Sequence, residues 1–82
     1  MNTKTLQFHV NRKAGTLNGD VPTLDAQGAA NVWAGTSGLA LVGALNVIAG
    51  NALPAYKDLA GVLNQLAGTS GLGVDEAASR IV

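Results

Sequence analysis

The side chains that most often carry out chemistry are few in this sequence and do not form a recognisable set. His9 is the only histidine, and the chain contains no cysteine. A nucleophilic serine needs a base beside it, and Ser37, Ser70 and Ser79 have neither a second imidazole nor a group of carboxylates to activate them. The sequence therefore predicts neither a catalytic triad nor a thiolate metal site.

Two further candidates for a chemical motif are also weak. Asp75 and Glu76 are adjacent, so on a helix they point to different parts of its surface and suit the positive helix end better than acid–base catalysis. Gly71-Leu72-Gly73 is too short for a nucleotide-binding fingerprint, and no phosphate-binding lysine follows it. We expect a protein that is not an enzyme and that binds no cofactor or metal ion.

Composition instead favours tight packing within an assembly. Only 12% of the 82 residues are charged, whereas about 25% is typical of soluble domains. The net charge is zero, but residues 1–13 carry three basic residues and no acidic one. This asymmetry can steer that end toward an acidic partner, although it is too small to indicate direct nucleic-acid binding, and simple solvated charge is the alternative.

A long uncharged stretch, residues 26–56, requires a test for membrane insertion. Its most apolar part, Leu39 to Ala49, is about half of the ~20 residues that a membrane-spanning helix needs. Asn46, Gly50, Asn51 and Pro54 interrupt or follow that part. A membrane-spanning helix is therefore not expected, although small residues also favour helix packing in lipid, which keeps a membrane-active protein as the alternative.

A repeated motif, Asn-x-x-Ala-Gly-(Thr/Asn), organises the chain. Gly35, Gly50 and Gly68 each suit the left-handed position just past a helix end, so the repeat predicts a unit of one helix and one loop. The amide of the repeated Asn either bonds the backbone of a neighbouring loop or merely ends its own helix. The four copies begin at Asn11, Asn31, Asn46 and Asn64.

Helical spacing of apolar residues predicts a mostly α fold, a small bundle or stack of about four short helices joined by Gly-rich loops. The first helix is expected to be capped by Thr23 and the third to begin at Pro54. The predicted helices run over 23–34, about 39–49, from 54 to about 67, and from 74 to 81.

Residues 5–10 alternate polar and apolar side chains, which predicts a strand with Leu6, Phe8 and Val10 on one face. Asn18-Gly19 suits the turn of a tiny hairpin. We therefore divide the chain into an extended, β-like N-terminal arm, residues 1–22, and a helical repeat unit, residues 23–82. The arm is expected to pair with another subunit, and a mobile tail is the alternative.

The motifs resemble repeats in small virion proteins of tailed phages that infect actinobacteria. The resemblance rests on Asn31 to Leu39, Gly43 to Asn46 and Gly61 to Gly73, and it covers most of the chain from Asn11 onward. The middle repeat departs from the pattern, with Asn51-Ala52-Leu53-Pro54 in place of Thr-Ser-Gly-Leu. The resemblance implies a virion structural component of the minor tail or minor capsid type.

The expected function is therefore that of a bacteriophage structural protein located in the virion, attached in multiple copies to capsid or tail subunits. We expect it to be a homo-oligomer or a multi-copy component of that lattice. A holin-like or bacteriocin-like membrane-active protein is the alternative. Trp33 and Tyr56 are expected to lie on apolar helical faces, as core or interface anchors. The residues predicted to contact the partner are Leu6, Phe8, Val10, Arg12, Lys13, Trp33 and Tyr56.

Overall fold

The computed structural model describes residues 4–82 and is mostly helical, as the sequence predicts. It contains five helices rather than about four, and the additional one is the first. A two-stranded hairpin follows that helix. The elements are α1 Leu6–Ala14, β1 Leu17–Asn18, β2 Val21–Pro22, α2 Ala26–Ala34, α3 Leu41–Ala49, α4 Leu59–Ala67 and α5 Val74–Ser79.

The repeated motif is a complete helix ending. After each of α1 to α4, the glycine adopts a left-handed conformation with φ between 73° and 81°. The N–H of the next residue then reaches back to the backbone carbonyl of the repeated Asn, for example from Thr36 to Asn31 at 3.0 Å. This is the Schellman arrangement, which satisfies carbonyl groups that the helix leaves without a partner. The predicted helix ends at Gly35, Gly50 and Gly68 are confirmed.

Two predicted helix starts are wrong. The cap of α2 is Asp25, not Thr23, and its carboxylate accepts the N–H of Gly28 at 2.7 Å. The helix expected from Pro54 begins only at Leu59, where Asp58 caps it in the same way. A carboxylate at this position both accepts a free backbone N–H and meets the positive end of the helix dipole, so it determines the start.

The predicted N-terminal strand is wrong, and with it the extended arm over residues 1–22. Thr5 caps α1, which packs against α2 and α5 as part of the same folded unit as residues 23–82. The hairpin around Asn18-Gly19 is confirmed, with Leu17 paired to Pro22 and Asn18 to Val21. Residues 1–3 of the proposed arm lie outside the described residues.

The helices form a closed ring. Each helix contacts the next along the chain, and α5 returns to contact α1; within residues 4–82 no other pair of helices comes close. The molecule measures 37 × 29 × 16 Å, so the ring is flat. Its core includes Ile81 after α5 and the fourth and fifth residues of every helix, all of which are buried: His9 and Val10, Ala29 and Ala30, Ala44 and Leu45, Val62 and Leu63, Ala77 and Ala78.

Candidate partner-binding surface

Each repeated Asn forms the same set of hydrogen bonds, which we call the asparagine bridge. In α3, the Nδ2 of Asn46 donates to the carbonyl of Val42 at 2.8 Å and to the carbonyl of Lys57 at 3.0 Å. Its Oδ1 accepts the N–H of Lys57 at 2.9 Å and the side-chain amide of Asn51 at 2.8 Å. One amide therefore holds both its own helix and the residue just before the cap of the next helix.

The other three bridges repeat this geometry. Asn11, Asn31 and Asn64 each bond the carbonyl four residues earlier and both backbone groups of Leu24, Leu39 and Leu72, respectively. A threonine hydroxyl five residues later completes each set. The cross-unit bond considered from the sequence is confirmed, and the bond within the helix occurs as well. The motif is therefore a structural device that positions the next helix.

The apolar residues expected on the strand face do not form a partner-binding edge. Val10 is 1% exposed and belongs to the core. Leu6 is half-buried against that core, and its N–H donates to Oδ1 of Asp75 in α5 at 2.8 Å. Phe8 is half-buried on α1, with its ring edge-on to His9. Because these residues are helical, they cannot add a strand to another sheet.

The two basic residues predicted to contact a partner bond the last two residues of the sequence, and their contact with a partner stays a prediction. Arg12 Nη2 donates to the carbonyl of Ile81 at 2.7 Å, and Lys13 Nζ donates to the carbonyl of Val82 at 2.8 Å. We call the contact between α1 and the segment from α5 to Val82 the α1–α5 seam. Arg12 and Lys13 therefore help to close the ring, a role that no feature of the sequence predicts.

The predicted aromatic anchors lie in different environments. Trp33, in α2, is half-buried against the core, and Lys13 Nζ lies 5.7 Å from the centre of its ring. Tyr56 is half-buried but lies in the loop before α4 rather than on a helical face, so that part of the prediction is wrong. Contact of either residue with a partner stays a prediction.

A surface suited to apolar contact lies on α2 and α3, where the sequence alone did not lead us to expect one. Residues 26–56 include α2 and α3, and therefore form an uncharged sector of the ring. Val32 and Val47 occupy matching positions on these two neighbouring helices and are 51% and 39% exposed. The signal was present in the sequence, because both valines directly follow a repeated Asn. Arg12 and Gln65 occupy this position in α1 and α4.

A shallow groove of about 620 Å³ lies on α4 and the loop after it. Ala60 and Gly61 line it together with Lys57, Ser70 and Gly71. Its lining contains no second ionisable side chain beside Lys57.

Residues 4–82 contain neither a cluster of metal-ligating side chains nor a membrane-spanning helix. No group of three or more His, Asp or Glu residues there is placed to hold a metal ion. None of the helices in that part has the length and apolar character needed to cross a bilayer. His9, the one imidazole, is buried in the ring rather than in a cleft.

Comparison with known proteins found no relative. No family model, no curated protein and no solved structure matches the chain. The class that the fold itself defines is a closed ring of five short helices, four of which carry an asparagine bridge.

Proposed function

We propose that this protein is a structural component of a bacteriophage virion, attached in several copies to the capsid or tail lattice through the uncharged sector of the ring. The observation that carries the proposal is the exposure of Val32 and Val47, at matching positions of two neighbouring helices, within residues 26–56. Apolar side chains with few charged residues around them are typical of the buried centre of protein interfaces. The motif resemblance to small virion proteins agrees with this role.

The ring is suited to such a role because its exposed residues stand on fixed supports. Each helix of the sector carries an asparagine bridge near its C-terminal end. Asn31 in α2 bonds Leu39 before α3, and Asn46 in α3 bonds Lys57 before α4. Val32 and Val47 each follow a bridging Asn directly, so the same hydrogen bonds fix their backbone positions. A rigid surface loses little conformational entropy on binding, which favours attachment.

The first experiment asks where the chain is found. Particles produced from a genome that encodes it are purified on a density gradient, washed with high salt and analysed by mass spectrometry, with isolated heads and tails compared. We expect the chain to co-sediment with particles and to resist the salt wash, because an apolar contact is little screened by ions. Recovery only in detergent extracts of membranes would reject the proposal.

The second experiment tests the surface. The double substitution Val32→Lys with Val47→Lys places charge in the sector without filling the core, so the variant should keep its helical circular dichroism and fail to enter particles. Ser70→Lys is the control, because Ser70 is exposed outside residues 26–56 and its side chain forms no hydrogen bond within the described residues. Normal incorporation of the double variant would show that another face of the ring makes the contact.

A further inference from the structure

His9 interrupts the pattern of the core. It is the fourth residue of α1, and the fourth residue of the other helices is Ala29, Ala44, Val62 or Ala77, each fully buried. His9 is 9% exposed, so an ionisable imidazole occupies a core position that is otherwise filled by small apolar groups. An imidazole there needs hydrogen-bond partners that alanine and valine do not need.

Only one side of the imidazole has a partner. Nδ1 accepts a hydrogen bond from Nε of Arg12 at 3.4 Å, and Nη2 of Arg12 donates to the carbonyl of Ile81 at 2.7 Å. Nε2 is buried and has no hydrogen-bond partner within the part of the chain that the structure describes. Since Nδ1 is an acceptor, the ring is neutral and its proton is on Nε2.

The charges around His9 mostly oppose a second proton. Burial is the main cause that lowers its pKa, and Arg12 and Lys4 lower it further, while Asp75 in α5 acts in the opposite direction. The neighbouring helix α2 contains no charged residue. Asp20, in the turn of the hairpin that packs on α1, is exposed and does not contribute to the shift.

The α1–α5 seam differs from the other four helix contacts of the ring. An asparagine bridge spans each contact between consecutive helices, from α1–α2 to α4–α5. Among residues 4–82 the seam has no such bridge, and its hydrogen bonds come from the N–H of Leu6 and from the side chains of Arg12 and Lys13. It is also the contact, among the five described, whose two helices are not joined by a connecting loop, so its separation opens the ring and leaves every asparagine bridge in place.

We propose that His9 is an acid-operated latch of the ring, whose protonation releases Arg12 from the carbonyl of Ile81 and separates α5 from α1. A proton from solvent binds Nδ1, which becomes an N–H donor and can no longer accept from Arg12. The imidazolium and the guanidinium then face each other as two cations, and Arg12 moves away from both His9 and Ile81. The four asparagine bridges contain no group that titrates near neutral pH, so they hold.

Amide hydrogen exchange followed by NMR tests the latch on the whole chain. The N–H of Ala77 reports on α5, where it donates to the carbonyl of Gly73 at 2.8 Å, and the N–H of Ala44 reports on α3, where it donates to the carbonyl of Ala40 at 2.9 Å. Between about pH 7.5 and about pH 5, protection at Ala77, corrected for intrinsic exchange, should fall about tenfold or more while protection at Ala44 changes little. Equal loss at both amides, or no loss at Ala77, would overturn the proposal.

The control variant is His9→Asn, whose Oδ1 can replace Nδ1 as the acceptor for Arg12 and does not titrate. Its protection at Ala77 should be independent of pH over the same range, and a loss equal to that of the unmodified chain would refute the latch. A measurement without any substitution decides the case if this variant does not fold. The ring-proton shifts of His9 and the protection at Ala77 must change with the same midpoint, and separate midpoints would refute the latch.

Discussion

The asparagine bridge of Asn46 should contribute a large share of the stability of the ring. Asn46 is fully buried and makes four hydrogen bonds, two as donor and two as acceptor. At about 1 kcal/mol for each bond, Asn46→Ala should lower the free energy of unfolding by about 3–4 kcal/mol, out of the roughly 4–12 kcal/mol expected for a domain of this length. The backbone groups of Lys57 would lose their partner in the folded state, which adds to the loss.

Urea unfolding followed by circular dichroism measures this loss. Gln27→Ala is the matched control, since it removes an amide side chain that is exposed on α2 and forms no hydrogen bond within the described residues. The control should change the free energy of unfolding by less than about 0.5 kcal/mol. If Asn46→Ala lowers the free energy of unfolding by less than about 1 kcal/mol, the bridge does not hold α4 in place and does not position the next helix.

Four further predictions concern the helix ends, pH and the N-terminal helix. Gly35→Ala should lower the free energy of unfolding by about 1 kcal/mol, because Gly35 has φ 73°. Gly43→Ala should raise it by up to ~1 kcal/mol, because Gly43 lies within α3 and an added Cβ would meet nothing within 4 Å. Equal urea midpoints for the two variants would contradict this assignment. Asp58→Ala should remove about 1 kcal/mol by taking away the cap of α4, measured as a lower melting temperature. Folding lowers the pKa of His9 below its ordinary value of 6.5, so the unfolded chain binds more protons. The free energy of unfolding should therefore fall as the pH drops from 6.5 toward the pKa of His9 in the folded chain. Urea midpoints that do not change over that pH range would contradict this prediction. Deletion of residues 1–12 should abolish cooperative thermal unfolding, since it removes most of α1 from the ring, and an unchanged melting transition would show that α1 is dispensable.

The helices were predictable wherever the repeat and the apolar spacing agreed. Gly35, Gly50 and Gly68 ended the predicted helices correctly because a left-handed glycine is a local requirement. The helix starts were less certain, since Thr23 and Pro54 are plausible first residues in isolation. The carboxylates of Asp25 and Asp58, a few residues later, prevail because each accepts a backbone N–H.

The error at the N-terminus has a specific cause. Leu6, Phe8 and Val10 satisfy an alternating pattern, but Leu6, Val10 and Ala14 also lie at helical spacing, so residues 5–10 alone do not decide between strand and helix. The repeat does decide, because Asn11 begins the first copy of the motif and every other copy ends a helix. Reading Asn11 by analogy with Asn31 would have predicted α1.

The surface and the seam depend on contacts that no short stretch of sequence reveals. Arg12 and Lys13 meet the carbonyls of Ile81 and Val82 only because the ring closes, and closure follows from the accumulated turn of all the loops. The exposure of Val32 and Val47 likewise depends on which side of each helix faces the centre. Both features therefore required the three-dimensional arrangement.

Ring closure also limits how many units such a chain can contain. In an open solenoid each repeat meets only its neighbours, so repeats can be added at either end without disturbing the others. Here α5 returns to α1, so each unit of helix and loop turns the chain by an average of one fifth of a circle. A sixth unit inserted between α2 and α3 would carry the last helix past α1 and expose the apolar faces that now meet. Duplication of a unit would therefore produce a different architecture, a spiral with two open ends, rather than a larger version of the same ring.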